Sequence, residues 1–305
     1  MGQQLVFKSK NVLTDLTAIP DFVSYKSRVE SDGGVIYDQQ AVLEALQFIF
    51  QNNIPEVDVL SATSAAWGVK FDPITKVISK LYNLFNPAGD IIIQNGTMNA
   101  LHTTEVDGKP SLYAGGSSTL YGYSTGKFTV LNPLVHTIHQ VPVRSGYGAS
   151  ALLFPLQTLF NKEGYDASTD STKVSTDYIA VDQRLTRNSA TNNDPNTWNE
   201  SHRYWGASVG VDGNLNGNKI GYSSIGLATG VNIYKDGALS NSSSVVPTIK
   251  ATQKSDQRLY FMSNFTAAGV RGNYYLGYIF ENWLINNGTE SIAKALSLRA
   301  KTKYR

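Results

Sequence analysis

The sequence predicts a mainly β protein, an antiparallel β-sandwich of jelly-roll type with a short helical segment before it and a helix after it. Three observations carry this. From Trp67 onward, short β-branched and aromatic runs alternate with Gly, Asn, Pro and Ser at the spacing of a sandwich. Before Trp67 there is a helical pattern, and after Asn287 another, and neither recurs between them. No internal repeat, heptad run or β-helical period is present, so the chain is a globular module and not a fibre shaft.

In chain order, Asp32-Gly33-Gly34 is a permissive turn and Asp38 can cap a helix running to about Gln51. Val42, Leu46, Ile49 and Phe50 fall at spacings of three and four, which gives that helix one buried face. Asn52, Asn53 and Pro55 stop it, because proline has no donor and disfavours helix in the residue before it. Strands are expected over Lys76 to Tyr82, Asp90 to Gln94, Lys127 to Leu131, Tyr178 to Gln183 and Tyr204 to Val211. Others are expected over Gly217 to Ser223, Gly230 to Tyr234, Arg258 to Ser263 and Tyr274 to Ile285. Gly213-Asn214, Asn216-Gly217 and above all Asp236-Gly237 supply the positive-φ residues of tight hairpins. The polar stretches Asp166 to Lys173 and Thr186 to Ser201 read as long loops. Thr289 can cap a final helix over Glu290 to Lys303, whose Ile292, Ala295, Leu296 and Leu298 form a stripe that packs on the sandwich. The expected division is an N-terminal segment 1–65 that serves for attachment, a sandwich 66–289 and a C-terminal helix 290–305.

Composition narrows the function. With 305 residues, 41% of them apolar, the chain can bury a sizeable core, which argues against disorder. Charged residues are only 16% and the net charge is +2, so no strong field exists to gather a polyanion and nucleic-acid binding is disfavoured. The absence of cysteine excludes disulfides and thiolate metal sites and fits maturation in a reducing cytoplasm. The N-terminus has no signal-peptide pattern, and the longest apolar runs, such as Ile91-Ile92-Ile93, are strand-sized, so no membrane insertion is expected.

Candidate chemistry is sparse. Gly122-Tyr123-Ser124-Thr125-Gly126 has nucleophile-elbow spacing, but the strand-like Lys127 to Leu131 after it makes a glycine-rich turn the better reading. Asp212, Asn214 and Asn216 match the first half of a calcium loop, yet the twelfth position is Ser223 and not a bidentate glutamate. A hairpin turn is preferred there, with calcium worth testing and no other cofactor expected. His136 and His139 lie between Pro133 and Pro142 in a segment that reads as extended or turn-like, which weakens a shared metal face. Glycan hydrolysis needs two facing carboxyl groups. Glu105-Val106-Asp107 lacks a third carboxylate after it, and no enzyme is expected. Asp194, Asn196, Trp198, Asn199, His202 and Trp205, with Tyr204, cluster within twelve residues and mix flat aromatic faces with amides and a carboxylate, the makings of a carbohydrate platform. The competing reading, favoured by the 11% aromatic content, is that Trp198 and Trp205 are core or loop anchors.

Several of these segments together resemble a family. Arg28-Val29, Gly33-Gly34, Ala66-Trp67-Gly68-Val69-Lys70, Ser79-Lys80-Leu81-Tyr82-Asn83-Leu84, Gly89-Asp90 and Tyr234-Lys235-Asp236-Gly237 are similar to segments of bacteriophage virion proteins with a laminin-G-like, concanavalin A-like domain. The late run Tyr275-Leu276-Gly277-Tyr278-Ile279-Phe280-Glu281-Asn282-Trp283 is similar to the strand that precedes a terminal helix in that group. The resemblance implies a short helical piece around Arg28-Val29 and a virion component of tail, fibre, baseplate or capsid exterior, made in a bacterial cytoplasm. Its implied partners are other virion proteins, further copies of itself and host-surface polysaccharide. A glycan depolymerase using Glu105, Glu200 or Glu281, and a free lectin, are the alternatives.

Overall fold

The computed structural model describes residues 20–75, 77–94, 101–115, 120–143, 152–161, 179–187, 197–214, 217–266, 269–272 and 276–304. Helix α1 is Pro20–Ser31, strand β1 is Val35–Ile36 and helix α2 is Gln39–Gln51. Strands β2 (Val59–Ser64), β3 (Gly68–Phe71), β4 (Ile78–Leu81), β5 (Ile91–Gln94), β6 (His102–Val106), β7 (Lys109–Gly115) and β8 (Tyr121–Ser124) follow. Next come β9 (Leu134–Pro142), β10 (Leu152–Phe160), β11 (Ile179–Arg187), β12 (Thr197–Tyr204), β13 (Ala207–Asn214) and β14 (Ser223–Leu227). The remainder is β15 (Gly230–Lys235), β16 (Ala238–Ser243), β17 (Arg258–Phe261), β18 (Ser263–Thr266), β19 (Gly269–Gly272), β20 (Leu276–Ile285) and helix α3 (Glu290–Tyr304).

Two antiparallel sheets face each other. Sheet A runs β1-β3-β4-β5-β8-β17-β10-β11-β12-β13, and sheet B runs β16-β15-β14-β9-β20-β7-β6 with β2 also paired to β20. The apolar core between them includes Val69, Ile91, Leu134, Ile138, Leu185 and Leu259. The outer face of sheet B is not left to solvent. Val135, Trp283 and Ile285 on that face pack against Val42 and Ile49 of α2 and Ile292 and Leu296 of α3, which makes a third, helical layer.

Local signals set most element ends. The Asp38 carboxylate accepts from the Ala41 amide at 3.0 Å and starts α2, and Asn53 at φ 51 turns the chain away after it. The Thr289 hydroxyl accepts from the Ile292 amide and starts α3. Three hairpins turn on paired positive-φ residues, Asp107-Gly108, Trp205-Gly206 and Asp236-Gly237, the backbone a two-residue turn needs to follow strand twist.

Some expectations change. Lys127 to Leu131 makes a single bridge, Phe128 to Gln257, and not a ladder strand. Tyr204 to Val211 is two strands, because the Trp205-Gly206 turn interrupts it, and Gly217 to Tyr222 is a connection with one bridge at Ile220 before β14 begins at Ser223. Thr186 to Ser201 is partly strand, in β11 and β12, and Asp166 to Lys173 lies outside the described residues. The boundary expected at 65/66 does not divide the fold: β1 belongs to sheet A, β2 pairs with the sheet B strand β20, and α1 and α2 share one core with α3.

Helix α1 is seated by the segments that carry the phage resemblance. Arg28 donates to both Asp90 carboxylate oxygens at 2.8 and 2.9 Å and to the Asn83 carbonyl. Lys80 bridges Asp90 and Asp32 at 3.0 Å each, and the Tyr82 hydroxyl donates to Asp32 at 2.7 Å. Lys70 also reaches Asp32, at 3.1 Å, and Tyr82, Lys80 and Lys70 together hold the Asp32 carboxyl well below its usual range. The glycines let the parts approach. A Cβ on Gly34 would meet the Tyr82 ring at 2.5 Å, and one on Gly68 would meet the Tyr25 hydroxyl at 2.6 Å.

Candidate functional site

Helices α2 and α3 lie side by side on sheet B because each has a buried stripe, Ala41, Val42, Ala45 and Ile49 on one and Ile292, Ala293, Leu296 and Ala300 on the other. Above those stripes their flanks leave a cleft of about 700 Å³, closed at one end by the β6–β7 turn. Gln47 and Gln51, one turn apart on α2, line it together with Lys109 and Thr302.

The floor is electrostatically locked. The Glu281 carboxylate of β20 is fully buried and accepts from Arg299 Nε at 2.9 Å and Nη2 at 2.8 Å, from the Tyr304 hydroxyl at 2.5 Å and from Trp283 Nε1 at 2.9 Å. Lys303 sits between Glu281 at 3.4 Å and Glu44 of α2 at 3.5 Å. Burial by itself would raise the Glu281 pKa, but the charges of Arg299 and Lys303 outweigh it and hold the carboxyl well below the usual range. The Arg299 guanidinium also stacks near Phe48 and Trp283, with its carbon 5.2 and 5.8 Å from the ring centres.

A second polar group lies inside the sandwich. His202 Nδ1 and the Ser224 hydroxyl are 2.6 Å apart, His202 Nε2 and Glu200 are 3.0 Å apart, and Gln183 donates to Glu200 at 2.6 Å. Tyr204 bonds the same Ser224 hydroxyl at 2.7 Å. The series hydroxyl, imidazole, carboxylate is that of a nucleophilic triad, but Glu200, His202, Tyr204 and Ser224 are all 0% exposed, so a substrate has no surface on which to meet it. Its effect is to tie β12 of sheet A to β14 of sheet B. His136 packs on it, its ring centre 4.7 Å from that of His202 and 4.9 Å from that of Tyr204 in tilted and edge-on arrangements, and neither of its ring nitrogens has a hydrogen-bond partner among the described residues.

The expected carbohydrate platform divides. His202 and Trp205 are buried, at 0% and 4% exposure: β12 runs between β11 and β13 and turns the 200, 202 and 204 side chains inward, and Trp205, in the turn after it, packs into the same core. These two are therefore corrected from surface to core, as the core reading of Trp205 anticipated. Trp198 and Asn199 lie on β12, where they pair in register with Gly213 and Asp212. Asp194 and Asn196 lie outside the described residues. Of the calcium candidates, Asp212 and Asn214 are on β13 and Asn216 is outside the described residues. Among the described residues no group of three or more His, Asp or Glu is placed to hold a metal ion.

Other expectations resolve by strand pleat. His136 and His139 are three apart on β9 and so face opposite sides of sheet B, His136 toward His202 and His139 toward Glu281 and Tyr304. Ser124 is the last residue of β8, and its buried hydroxyl donates to the Gly126 carbonyl at 2.7 Å and accepts from the Leu259 amide, which makes 122–126 a strand end and turn. Asp107, in the β6–β7 turn, pairs with Lys219 of the β13–β14 connection. The α2–α3 cleft was missed, since it joins residues some 250 positions apart; the only local hint was the charged spacing of Arg299 and Lys303 within the last helix.

No protein-family model matches the chain, and no curated protein is similar to it. Solved structures with partial similarity include a ligand binding domain of botulinum neurotoxin serotype D in complex with N-acetylneuraminic acid, at 6% identity and TM-score 0.48, over 81% of this chain and 52% of that one. Domain 4 of a GH43 extracellular arabinanase from Geobacillus stearothermophilus, in complex with arabinotriose, aligns at 12% identity and TM-score 0.46, over 79% of this chain and 98% of that one. A heptameric SAP-like pentraxin from Limulus polyphemus aligns at 8% identity and TM-score 0.41, over 68% and 81%. The chain spans about half the length of the toxin domain it matches. The sandwich assignment rests on the chain's own two sheets.

Proposed function

We propose that this chain is a non-enzymatic component of a bacteriophage particle whose lectin-like sandwich recognises host-surface glycans. The observation that carries the reading is the seat of α1. Arg28, Gly34, Gly68, Tyr82 with Asn83, and Asp90 come from five segments of the phage resemblance, and they meet around α1.

Recognition is favoured over catalysis by how the buried acids are used. Glu281 is saturated by Arg299, Tyr304 and Trp283, and Glu200 by Gln183 and His202 within the core. Neither faces a water-filled gap opposite a second carboxyl group, as glycoside hydrolysis requires. In this reading the protein is made in the bacterial cytoplasm and is set into the particle beside other virion proteins in multiple copies, so that weak contacts add. Mass spectrometry of purified particles tests it. The expected result is this chain at a stoichiometry matching a tail or capsid symmetry, and particles without it would overturn the proposal.

A further inference from the structure

We infer that the α2–α3 cleft is the saccharide site, and that its ligand is a short, uncharged oligosaccharide. This rests on the glycan-binding reading and adds a place and a chemical class to it.

The volume of about 700 Å³ lies within the range of about 300–1,000 Å³ typical of small-molecule sites. Its walls are two helices pinned at their base, Arg299 and Lys303 of α3 to Glu281 of β20 and Lys303 onward to Glu44 of α2. The side chains above are thus presented from rigid elements, which lowers the ordering cost of binding. The side-chain amides of Gln47 and Gln51 have no hydrogen-bonding partner among the described residues, and their i, i+4 spacing points both amides to one side. Each amide offers an acceptor and two donors, the complement of vicinal hydroxyl groups. The Thr302 hydroxyl donates back to the Leu298 carbonyl and keeps acceptor capacity for a ligand hydroxyl.

Charge decides against the other ligand classes. The cations Lys109, Arg299 and Lys303 are matched by the carboxylates Asp38, Glu44 and the underlying Glu281, so an anionic phosphate or polyuronate gains no net attraction. A nucleobase would need an open aromatic face. Phe48 carries the Arg299 guanidinium and Tyr304 is stacked on Phe280, with centroids 4.5 Å apart. An extended peptide would need a strand edge, and the cleft walls are helices, whose backbone groups bond within themselves. A neutral polyol is what the polar walls fit: amides and a hydroxyl with free hydrogen-bonding capacity in a cleft whose charges are matched.

The test is a printed array of bacterial and animal oligosaccharides, followed by titration of the strongest responder against the full chain by amide-detected NMR. A Gln47→Ala/Gln51→Ala variant is titrated in parallel; alanine is a better helix former than glutamine, so the fold is kept. Expected are a neutral oligosaccharide as responder, shifts centred on α2 and α3, and a loss of roughly tenfold or more in affinity in the variant. A responder whose shifts lie elsewhere, with unchanged affinity in the variant, overturns the site and leaves the glycan reading standing. An array blank for every sugar overturns both. A preference for acidic sugars overturns the uncharged class.

Discussion

Glu281 and Arg299 are joined by two hydrogen bonds of 2.8 and 2.9 Å in a fully buried setting, so the last helix is fastened to the central strand of sheet B by a forked ion pair. The fork geometry uses both carboxylate oxygens and fixes the rotation of α3 about its axis, which apolar packing alone would leave looser. The same carboxylate takes Tyr304 and Lys303, so one residue of β20 organises the whole final turn and the floor of the cleft.

Replacing Glu281 by glutamine should therefore be costly. The substitution keeps the shape but leaves the Arg299 guanidinium buried and uncompensated, a change worth about 3–5 kcal/mol of stability. Urea unfolding followed by tryptophan fluorescence would read it, with Trp283 as a reporter in contact with the lost carboxylate. A change within 1 kcal/mol would show that the pair is solvated in solution.

Arg28 offers a different contrast, between charge and shape. It contacts both oxygens of Asp90, itself 2% exposed, and the Asn83 carbonyl as well. Arg28→Ala should cost about 1.5–3 kcal/mol, the range for hydrogen bonds to charged groups. Arg28→Lys should recover less than half of it, because a point ammonium cannot span two oxygens and a carbonyl at once. Full rescue by lysine in equilibrium unfolding would mean that the charge alone matters.

Gly89 should tolerate no side chain. A Cβ there would lie 2.3 Å from the Leu60 carbonyl oxygen and 2.4 Å from the Asn83 amide nitrogen, and the first of these is backbone that cannot swing aside. Gly89→Ala should lose about 1–3 kcal/mol through forced displacement of β2. Gly108, at φ 70 with nothing within 4 Å of its Cβ position, is the control: alanine there should lose less, through backbone strain alone. Thermal melts of the two variants would rank them.

What could be read from the sequence was what local chemistry decides. Asp38 names the start of α2 by its own side chain, and Asp236-Gly237 names a hairpin by its conformational freedom. The Trp205-Gly206 hairpin hid because a tryptophan at φ 40 gives no turn signal, and two strands were therefore read as one. Helix α1 carried only a weak apolar stripe, and was implied by the resemblance at Arg28-Val29 and not by periodicity. The roles of Glu200, His202 and Glu281 depend on which strands face each other across the sandwich. Polar residues on an alternating strand look surface-bound until a partner sheet covers them, so His202 was placed on the wrong side of β12, while Trp205 in the turn after it packs into the core.

Acid should unfold the protein in two stages, through His136 first. Burial, followed by the neighbouring His202, holds the His136 pKa well below its ordinary value, so the folded ring stays neutral while the unfolded one gains a proton below about pH 6.5. The groups facing it are His202 and Tyr204, with Glu200 behind His202, and among the described residues its own ring nitrogens have no hydrogen bond to share a proton with. Above pH 6.5 both states are neutral and stability is flat with respect to this group. Below it the unfolded state binds the extra proton, and stability falls by up to about 1.4 kcal/mol per pH unit. Glu281 adds the second stage. Its folded pKa is depressed, so its contribution is full above the ordinary carboxylate range and is lost as pH drops through that range toward the folded value. Melting temperatures from pH 7.5 to 4 should decline already between 6.5 and 5, and His136→Leu should flatten that upper part while leaving the drop near pH 4 in place. An unchanged upper slope in the variant would assign the first stage to other groups.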